Sequence, residues 1–388
     1  MKKILIIVAD SNYFLSHRLS LSKYLQDNGY QVHVAINVLN DTDREKICSQ
    51  GFSLYDLPTR PSGFGLVYSA NFIQRIMFLY QSIQPQVVLS VSIRMSFLTM
   101  IAARFKIRPH LYHHSLIAGM GFLATSKKLS HSIIRFIVKR LIKLISLSKK
   151  FCIIVQNKDD YNEMKKVINK KRLFVVLGSG VNDKVFFPLH RKQDNKIVVS
   201  MVSRMLKDKG VEELVSASKI IKERGYENII IQLVGNIYKF NPDTVSKHYL
   251  QEAHDAGHVK WLGSQAGIES IYQSTDIAVL PSYREGLPKT LLEAAACGLP
   301  IITTDAPGCR EICVHEKNGL LVKIKDSEDL ANAIIKLSED KELRKKMGEA
   351  SRSMVEEKFS LTCINQEMLR IISSVYNTDR NHYYEHNL

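Results

Sequence analysis

Short uninterrupted apolar runs recur along this chain, each followed by polar turn residues and then by apolar positions at helical spacing. Ile4 to Ala9, Val32 to Ile36, Val87 to Val91, Cys152 to Gln156, Ile197 to Val202 and Ile277 to Leu280 are such runs. A strand covered on both faces reads this way because neither side meets water. Helical stretches alternate with them: around Leu19 to Asn28, after Gly210 with Val211, Leu214 and Val215 on the apolar side, from Leu287 to Cys297, and from Cys363 to Val375. A βαβα alternation in both halves predicts an α/β chain of two doubly wound, Rossmann-like domains facing across a cleft. The expected division is residues 1–177, a linker at 178–195, a second domain at 196–362, and a closing helix and polar tail at 363–388.

The chemistry concentrates where two of these runs end. After Ile277 to Leu280 comes the stretch EGLPKTLLE, bracketed by Glu285 and Glu293. Pro288 near the start, Leu291, Leu292 and Ala294 to Ala296 inside, and Gly298 with Pro300 beyond predict a helix there. Its first turn would present unpaired amides and the positive dipole end beyond the carboxyl end of a strand, which suits an anion. Carboxylates beside an anion seat are costly unless they accept hydrogen bonds from ligand hydroxyls, so the pair suggests a polyhydroxylated phosphate ester. Taken singly, Glu285 could equally be a helix-end charge and Glu293 a solvated helix residue. Upstream, Ile197 to Val202 feeds a basic loop with Arg204, Lys207, Lys209 and Gly210. Arg204 offers a fork of donors and Lys209 a mobile point charge for a diphosphate, although the lysines alone fit a solvated loop as well.

With these pieces in place, residues 195 to 325 resemble the family 4 glycosyltransferases, retaining enzymes of the GT-B fold that use nucleotide-diphosphate sugars. The matching pieces are SRMLKDKG, QLVG at Gln232 to Gly235, WLG at Trp261 to Gly263, DIAVLPSYREGLPKTLLEAAACGLPII, and NGLLV at Asn318 to Val322. The resemblance implies that Arg204 and Lys209 bind the donor diphosphate, that Glu285 lies near the donor sugar hydroxyls and that Glu293 binds the ribose diol. It implies further that backbone of Gly286, Leu287, Pro288, Lys289 and Thr290 contacts phosphates or sugar, and that Trp261 and Gly263 border the base. In such enzymes the last segment often crosses back to the first domain.

In the first half, NYFLSHRLSL at Asn12 to Leu21 and GMGF at Gly119 to Phe122 resemble a bacterial subgroup that extends undecaprenyl-diphosphate-linked sugars in O-antigen or related glycan assembly, as does GSGVN at Gly178 to Asn182. The expected partners are then a nucleotide sugar, UDP-linked by this subgroup resemblance, and a polyprenyl-diphosphate-linked acceptor. His17 is a candidate for acceptor or donor contact. His113 and His114 are candidates for a sugar contact that family members place in this region, against the plainer reading of packed or surface histidines. Gly119 and Gly121 permit a tight turn or a close backbone approach to an acceptor.

Charge adds a partner surface. The chain carries a formal net charge of +16, and from Leu57 to Lys158 there is no Asp or Glu while 15 Lys and Arg occur. Such asymmetry favours an anionic partner. Leu129 to Leu147 can be wound with Ile133, Ile134, Ile137, Leu141, Leu144 and Ile145 on one side and Arg135, Lys139 and Lys143 opposite. That suits a helix lying on an anionic leaflet, at about 1 kcal/mol per basic residue, or an ordinary packed helix with a solvated basic face. No nucleic-acid motif accompanies the basic run, so nucleic acid is not an expected partner. If the acceptor needed a carboxylate base from the first domain, only the early acids before Leu57 could serve, with Asp10 at the end of the first strand as the candidate.

Six cysteines in 388 residues show no disulfide spacing, and only six apolar residues separate Lys3 from Asp10, so no secretory signal is expected. The expected location is the cytoplasm, peripheral at the inner face of the cytoplasmic membrane. No metal and no cofactor is expected, since cations already supply neutralisation. The leading expectation is a retaining hexosyltransferase. The alternatives are another GT-B enzyme such as a nucleotide-sugar epimerase, which the acid-free half disfavours, and a non-catalytic nucleotide-sugar-binding protein, which the full set Arg204, Lys209, Glu285 and Glu293 disfavours.

Overall fold

The computed structural model describes residues 1–57, 66–105, 111–118, 140, 150–189, 195–238 and 241–377. Its contacts divide the chain into two compact units, Met1–Ser179 together with Ile364–Leu388, and Gly180–Cys363.

The first unit alternates strands and helices: β1 (Lys2–Asp10), α1 (Ser11–His17), α2 (Leu19–Asp27), β2 (Tyr30–Asn37), α3 (Asp41–Cys48), β3 (Ser53–Asp56), α4 (Leu66–Ile83), β4 (Val87–Val91), α5 (Ile93–Phe105), β5 (Tyr112–Ile117), β6 (Phe151–Val155), α6 (Lys158–Met164) and β7 (Leu173–Val175). The strands form one parallel sheet in the order β3-β2-β1-β4-β5-β6-β7. The pleat sends alternate β1 residues to opposite faces. Ile4, Ile6 and Val8 pack with Phe14, Leu25 and the chain's last helix, Leu361–Asn377, while Leu5 and Ile7 pack with Phe72, Ile76 and Leu98 of α4 and α5. That last helix buries Ile364, Met368, Ile371 and Ile372 in the first unit's core, worth at most about 6–12 kcal/mol at about 1.5–3 per side chain. The chain therefore starts in this unit and returns to it.

The second unit runs β8 (Ile197–Val202), α7 (Val211–Glu223), β9 (Ile229–Val234), α8 (Lys247–Asp255), β10 (Lys260–Gly263), α9 (Ile268–Gln273), β11 (Ile277–Leu280), α10 (Lys289–Ala296), β12 (Ile301–Thr304), β13 (Gly319–Val322), α11 (Ser327–Glu339) and α12 (Lys341–Met354). Its parallel sheet has the order β10-β9-β8-β11-β12-β13. In both units the strand order turns around a neighbouring pair, β1 with β4 and β8 with β11. Open α/β sheets bind ligands beyond the carboxyl ends of such a pair, because the loops diverge there and leave room.

One expectation from the sequence needs amendment. The helix anticipated from Leu287 starts at Lys289, with Pro288 as its cap at φ −72°, ψ 106°. Proline keeps the residue before it out of the helical region, so Leu287 cannot open the helix. His113 and His114, left open between packed and surface positions, lie near the start of β5, 5% and 0% exposed. The basic helix at 129–147, apart from Arg140, and the turn at Gly119 and Gly121 lie outside the described residues, as does 190–194 of the anticipated linker.

Candidate functional site

The two loops singled out by sequence meet in the second unit, beyond the carboxyl ends of β8 and β11. After β8 the chain passes Arg204 and makes a tight turn over Lys207–Lys209 before α7. Gly210 closes that turn at φ +76°, and a Cβ on it would lie 2.2 Å from the Pro281 carbonyl oxygen, so both its backbone and its neighbour demand glycine. The Asp208 carbonyl accepts hydrogen bonds from the Tyr283 amide at 2.9 Å and the Ser282 hydroxyl at 3.1 Å. The basic loop and the acidic loop are thereby stitched together.

On this frame Lys209 Nζ donates to Glu285 Oε1 at 2.6 Å, with only 12% and 15% of the two side chains exposed. Glu285 is also held by its backbone: its amide donates to the Pro307 carbonyl at 3.0 Å, and Gly308 at φ +81° lies so close that a Cβ there would come 2.5 Å from the Glu285 carbonyl oxygen. Gly286, Leu287 and Pro288 follow, leading into α10 with Lys289 and Thr290 in its first turn. The first amides of an α-helix have no intrahelical acceptor, which leaves this end suited to a negative group.

Glu293 lies one turn on, 8% exposed, with Lys289 Nζ at 3.3 Å from its carboxylate. Burial pushes its carboxyl above the ordinary range, Lys289 opposes that shift, and Glu269 adds to it. Arg204 is exposed, its guanidinium 5.6 Å from the centre of the Tyr238 ring. Trp261 donates its indole N–H to the Gly235 carbonyl at 3.0 Å, and Gly263 accepts from the Gly235 amide at 2.7 Å, so this pair closes the β9 and β10 end of the sheet.

Asp208 escaped the sequence reading. Its carboxyl is raised by burial above all, with Lys209 and Arg204 pulling it down and Glu285 and Asp243 pushing it up, and its Oδ1 is buried without a hydrogen-bond partner. Lying between Lys207 and Lys209, it looks in the sequence like one acid in a solvated basic loop. Tyr283 was missed too: its hydroxyl donates to Glu213, and the Lys325 ammonium lies 4.9 Å from its ring centre.

The first-unit candidates do not form one cluster. Asp10 caps α1 by accepting from the Tyr13 amide at 2.9 Å. His17 stacks on Tyr13 with ring centres 4.5 Å apart, and its Nδ1 lies 2.6 Å from the Ser16 hydroxyl. His113 Nε2 sits 2.8 Å from the Thr99 hydroxyl, deep in the core. Burial lowers its pKa to about 3 and that of His114 to about 4. Their burial fits packed histidines.

Residues 182–354 match the family described as Glycosyl transferases group 1, and residues 3–157 match the family Glycosyl transferase 4-like. The chain is 29% identical over 354 residues, covering 85% of itself and 90% of the relative, to the N,N'-diacetylbacillosaminyl-diphospho-undecaprenol alpha-1,3-N-acetylgalactosaminyltransferase of Campylobacter jejuni. It is 25% identical, covering 74% of itself and 75% of the relative, to the UDP-Gal:alpha-D-GlcNAc-diphosphoundecaprenol alpha-1,3-galactosyltransferase of Escherichia coli. Among solved structures, sucrose-phosphate synthase from Thermosynechococcus elongatus superposes with a TM-score of 0.78 at 17% identity, over 97% of this chain and 100% of that one. Anabaena HepE in complex with UDP and glucose gives 0.74 at 18% identity, over 96% and 100%.

Proposed function

Because the chain belongs to the GT-B glycosyltransferases, joining a glycosyl transferase 4-like domain to a group 1 domain, we propose that it moves a hexose or N-acetylhexosamine from a UDP-linked sugar to a polyprenyl-diphosphate-linked saccharide with retention of anomeric configuration. One observation carries this reading: Lys209 and Glu285, brought together from the loops after β8 and β11 at the start of α10. A cation, a helix start and a carboxylate at that point match a diphosphate joined to a sugar. Both relatives are named for diphosphoundecaprenol-linked acceptors, and one for UDP-galactose, which supports this reading.

In this reading Arg204, Lys209 and the amides of Gly286 to Thr290 hold the diphosphate, Glu285 takes the hydroxyls of the donor sugar, and Glu293 takes the ribose diol. Trp261 and Gly263 border the base. The bond from sugar C1 to the diphosphate oxygen breaks, the acceptor oxygen bonds to C1 on the same face, and the acceptor proton passes to the departing phosphate oxygen. Charge grows on the leaving nucleoside diphosphate, and the preorganised cations stabilise it. Asp10 is the candidate for a protein base in the first unit instead. Neither metal nor cofactor enters the scheme. The acid-free stretch from Leu57 to Lys158 supports docking on the anionic inner face of the cytoplasmic membrane, and among the described residues no helix is long and apolar enough to cross it.

Radiolabelled UDP-sugars, each offered with and without a polyprenyl-diphosphate saccharide, test the proposal. The expected result is label on the lipid only when acceptor is present, with Lys209→Ala and Glu285→Ala each lowering turnover at least tenfold, as for loss of one charged transition-state contact. Full turnover in both variants would refute the site, and donor conversion without acceptor would refute the reaction.

A further inference from the structure

Arg18 lies between α1 and α2, in the segment that leaves β1 at the first unit's strand-order reversal. Its side chain is 2% exposed, yet no carboxylate of the described residues pairs with it. Its one side-chain hydrogen bond runs from Nη2 to the Tyr13 hydroxyl at 3.0 Å, and its buried Nε has no partner. Nearby acids are otherwise engaged: Asp10 with the Tyr13 amide, and Asp43 with Ser11 and Asn40. Ser22, one turn along α2, also keeps a buried hydroxyl without a partner.

Burying a guanidinium costs several kcal/mol unless an anion compensates it, and buried charges are as a rule paired. A phenol hydroxyl is a weak substitute for an anion, and a planar fork of donors fits phosphate oxygens two at a time. We propose that Arg18 is a binding residue for the diphosphate of the lipid-linked acceptor, with the Tyr13 hydroxyl occupying a phosphate oxygen's position until that group displaces it. The assignment of the diphosphate to an acceptor lipid rests on the function proposed above; the anion site itself does not.

Calorimetric titration of inorganic pyrophosphate into the full chain carrying Arg204→Ala and Lys209→Ala, which together weaken the donor loop, reads mainly the Arg18 site. Adding Arg18→Gln is expected to lower the remaining pyrophosphate affinity at least tenfold, and Arg18→Lys to restore part of it. Undiminished affinity in Arg18→Gln, or no binding before that change, overturns the proposal. Arg18→Met controls for folding: it is expected to bind as weakly as Arg18→Gln while melting no lower than its parent, since it removes a buried charge that only Tyr13, through its hydroxyl and its ring 5.6 Å away, offsets. A lower melting point with unchanged pyrophosphate affinity would make Arg18 a packing residue and overturn the proposal. The source of the diphosphate is read kinetically with a farnesyl-diphosphate-linked saccharide. Arg18→Gln should raise the acceptor KM about tenfold and leave the donor KM unmoved, whereas a rise confined to the donor KM contradicts the acceptor assignment. A wild-type protein that transfers nothing to this acceptor would refute the proposed function, while the pyrophosphate titration still decides Arg18.

Discussion

One ion pair sets the character of the donor loops at the residue scale. Lys209 and Glu285 are 76 positions apart, each almost enclosed, and they pair with each other. Removing one partner strands the other charge. A fully buried pair loses about 3–5 kcal/mol in this way, and the residual exposure here reduces the expectation to roughly 1–3 kcal/mol for Lys209→Ala. The double variant Lys209→Ala with Glu285→Ala should be less destabilised than the sum of the singles in urea unfolding; simple additivity would mean the pair is not coupled. Both residues were visible in the sequence as candidates, because they flank strand ends. Their contact was not, since it depends on how Gly210, Pro281 and Gly308 fold the two loops together. Asp208 and Arg18 were hidden for a related reason: a charged residue's burial is a tertiary property, and local spacing carries no trace of it.

Among the elements, strands enclosed on both faces were legible as apolar runs: β4 and β11 have the anticipated ends, and β1, β2 and β6 differ by one or two residues at their ends. β5 was not, because Tyr112, His113, His114 and Ser115 interrupt the apolar pattern with polar groups that the fold buries. That burial has a pH consequence. Free imidazole titrates near 6.5, while His113 and His114 in the folded chain titrate at about 3 and about 4, with desolvation the leading cause for both. Below pH 6.5 the unfolded chain therefore takes up protons that the folded chain refuses, so folding stability falls as pH drops and is fully present above that range. Each histidine accounts for roughly 2 kcal/mol between pH 7 and pH 5. Neither ring nitrogen of His114 makes a hydrogen bond of ordinary geometry, and the backbone of Ile371, second to burial, opposes its shift, so His114→Leu is the cleaner variant. Its melting temperature should fall less than the wild type's from pH 7 to pH 5; an identical fall would show that His114 titrates normally.

For the whole molecule, the repeated strand-helix alternation announced two parallel sheets, and the residue-level resemblance announced a glycosyltransferase. For the last helix the apolar stripe shows that it packs but does not name its partner; the family resemblance implied a return to the first domain, and Ile364 to Ile372 do join the unit that begins at Met1. Charge was legible as a total and as a gap in acids from Leu57 to Lys158, a property of the chain rather than of one element. The central claim concerns the second unit alone: a pyrophosphate seated at Lys209 and the start of α10, with Glu285 and Glu293 on the adjoining hydroxyls. A crystal structure of the full chain with a UDP-sugar tests it most directly. The expected density places the diphosphate within about 3 Å of Lys209 Nζ and the first amides of α10, with Lys209 drawn away from Glu285. Density for the nucleotide elsewhere in Gly180–Cys363, with the Lys209–Glu285 pair intact and its surroundings empty, would contradict it.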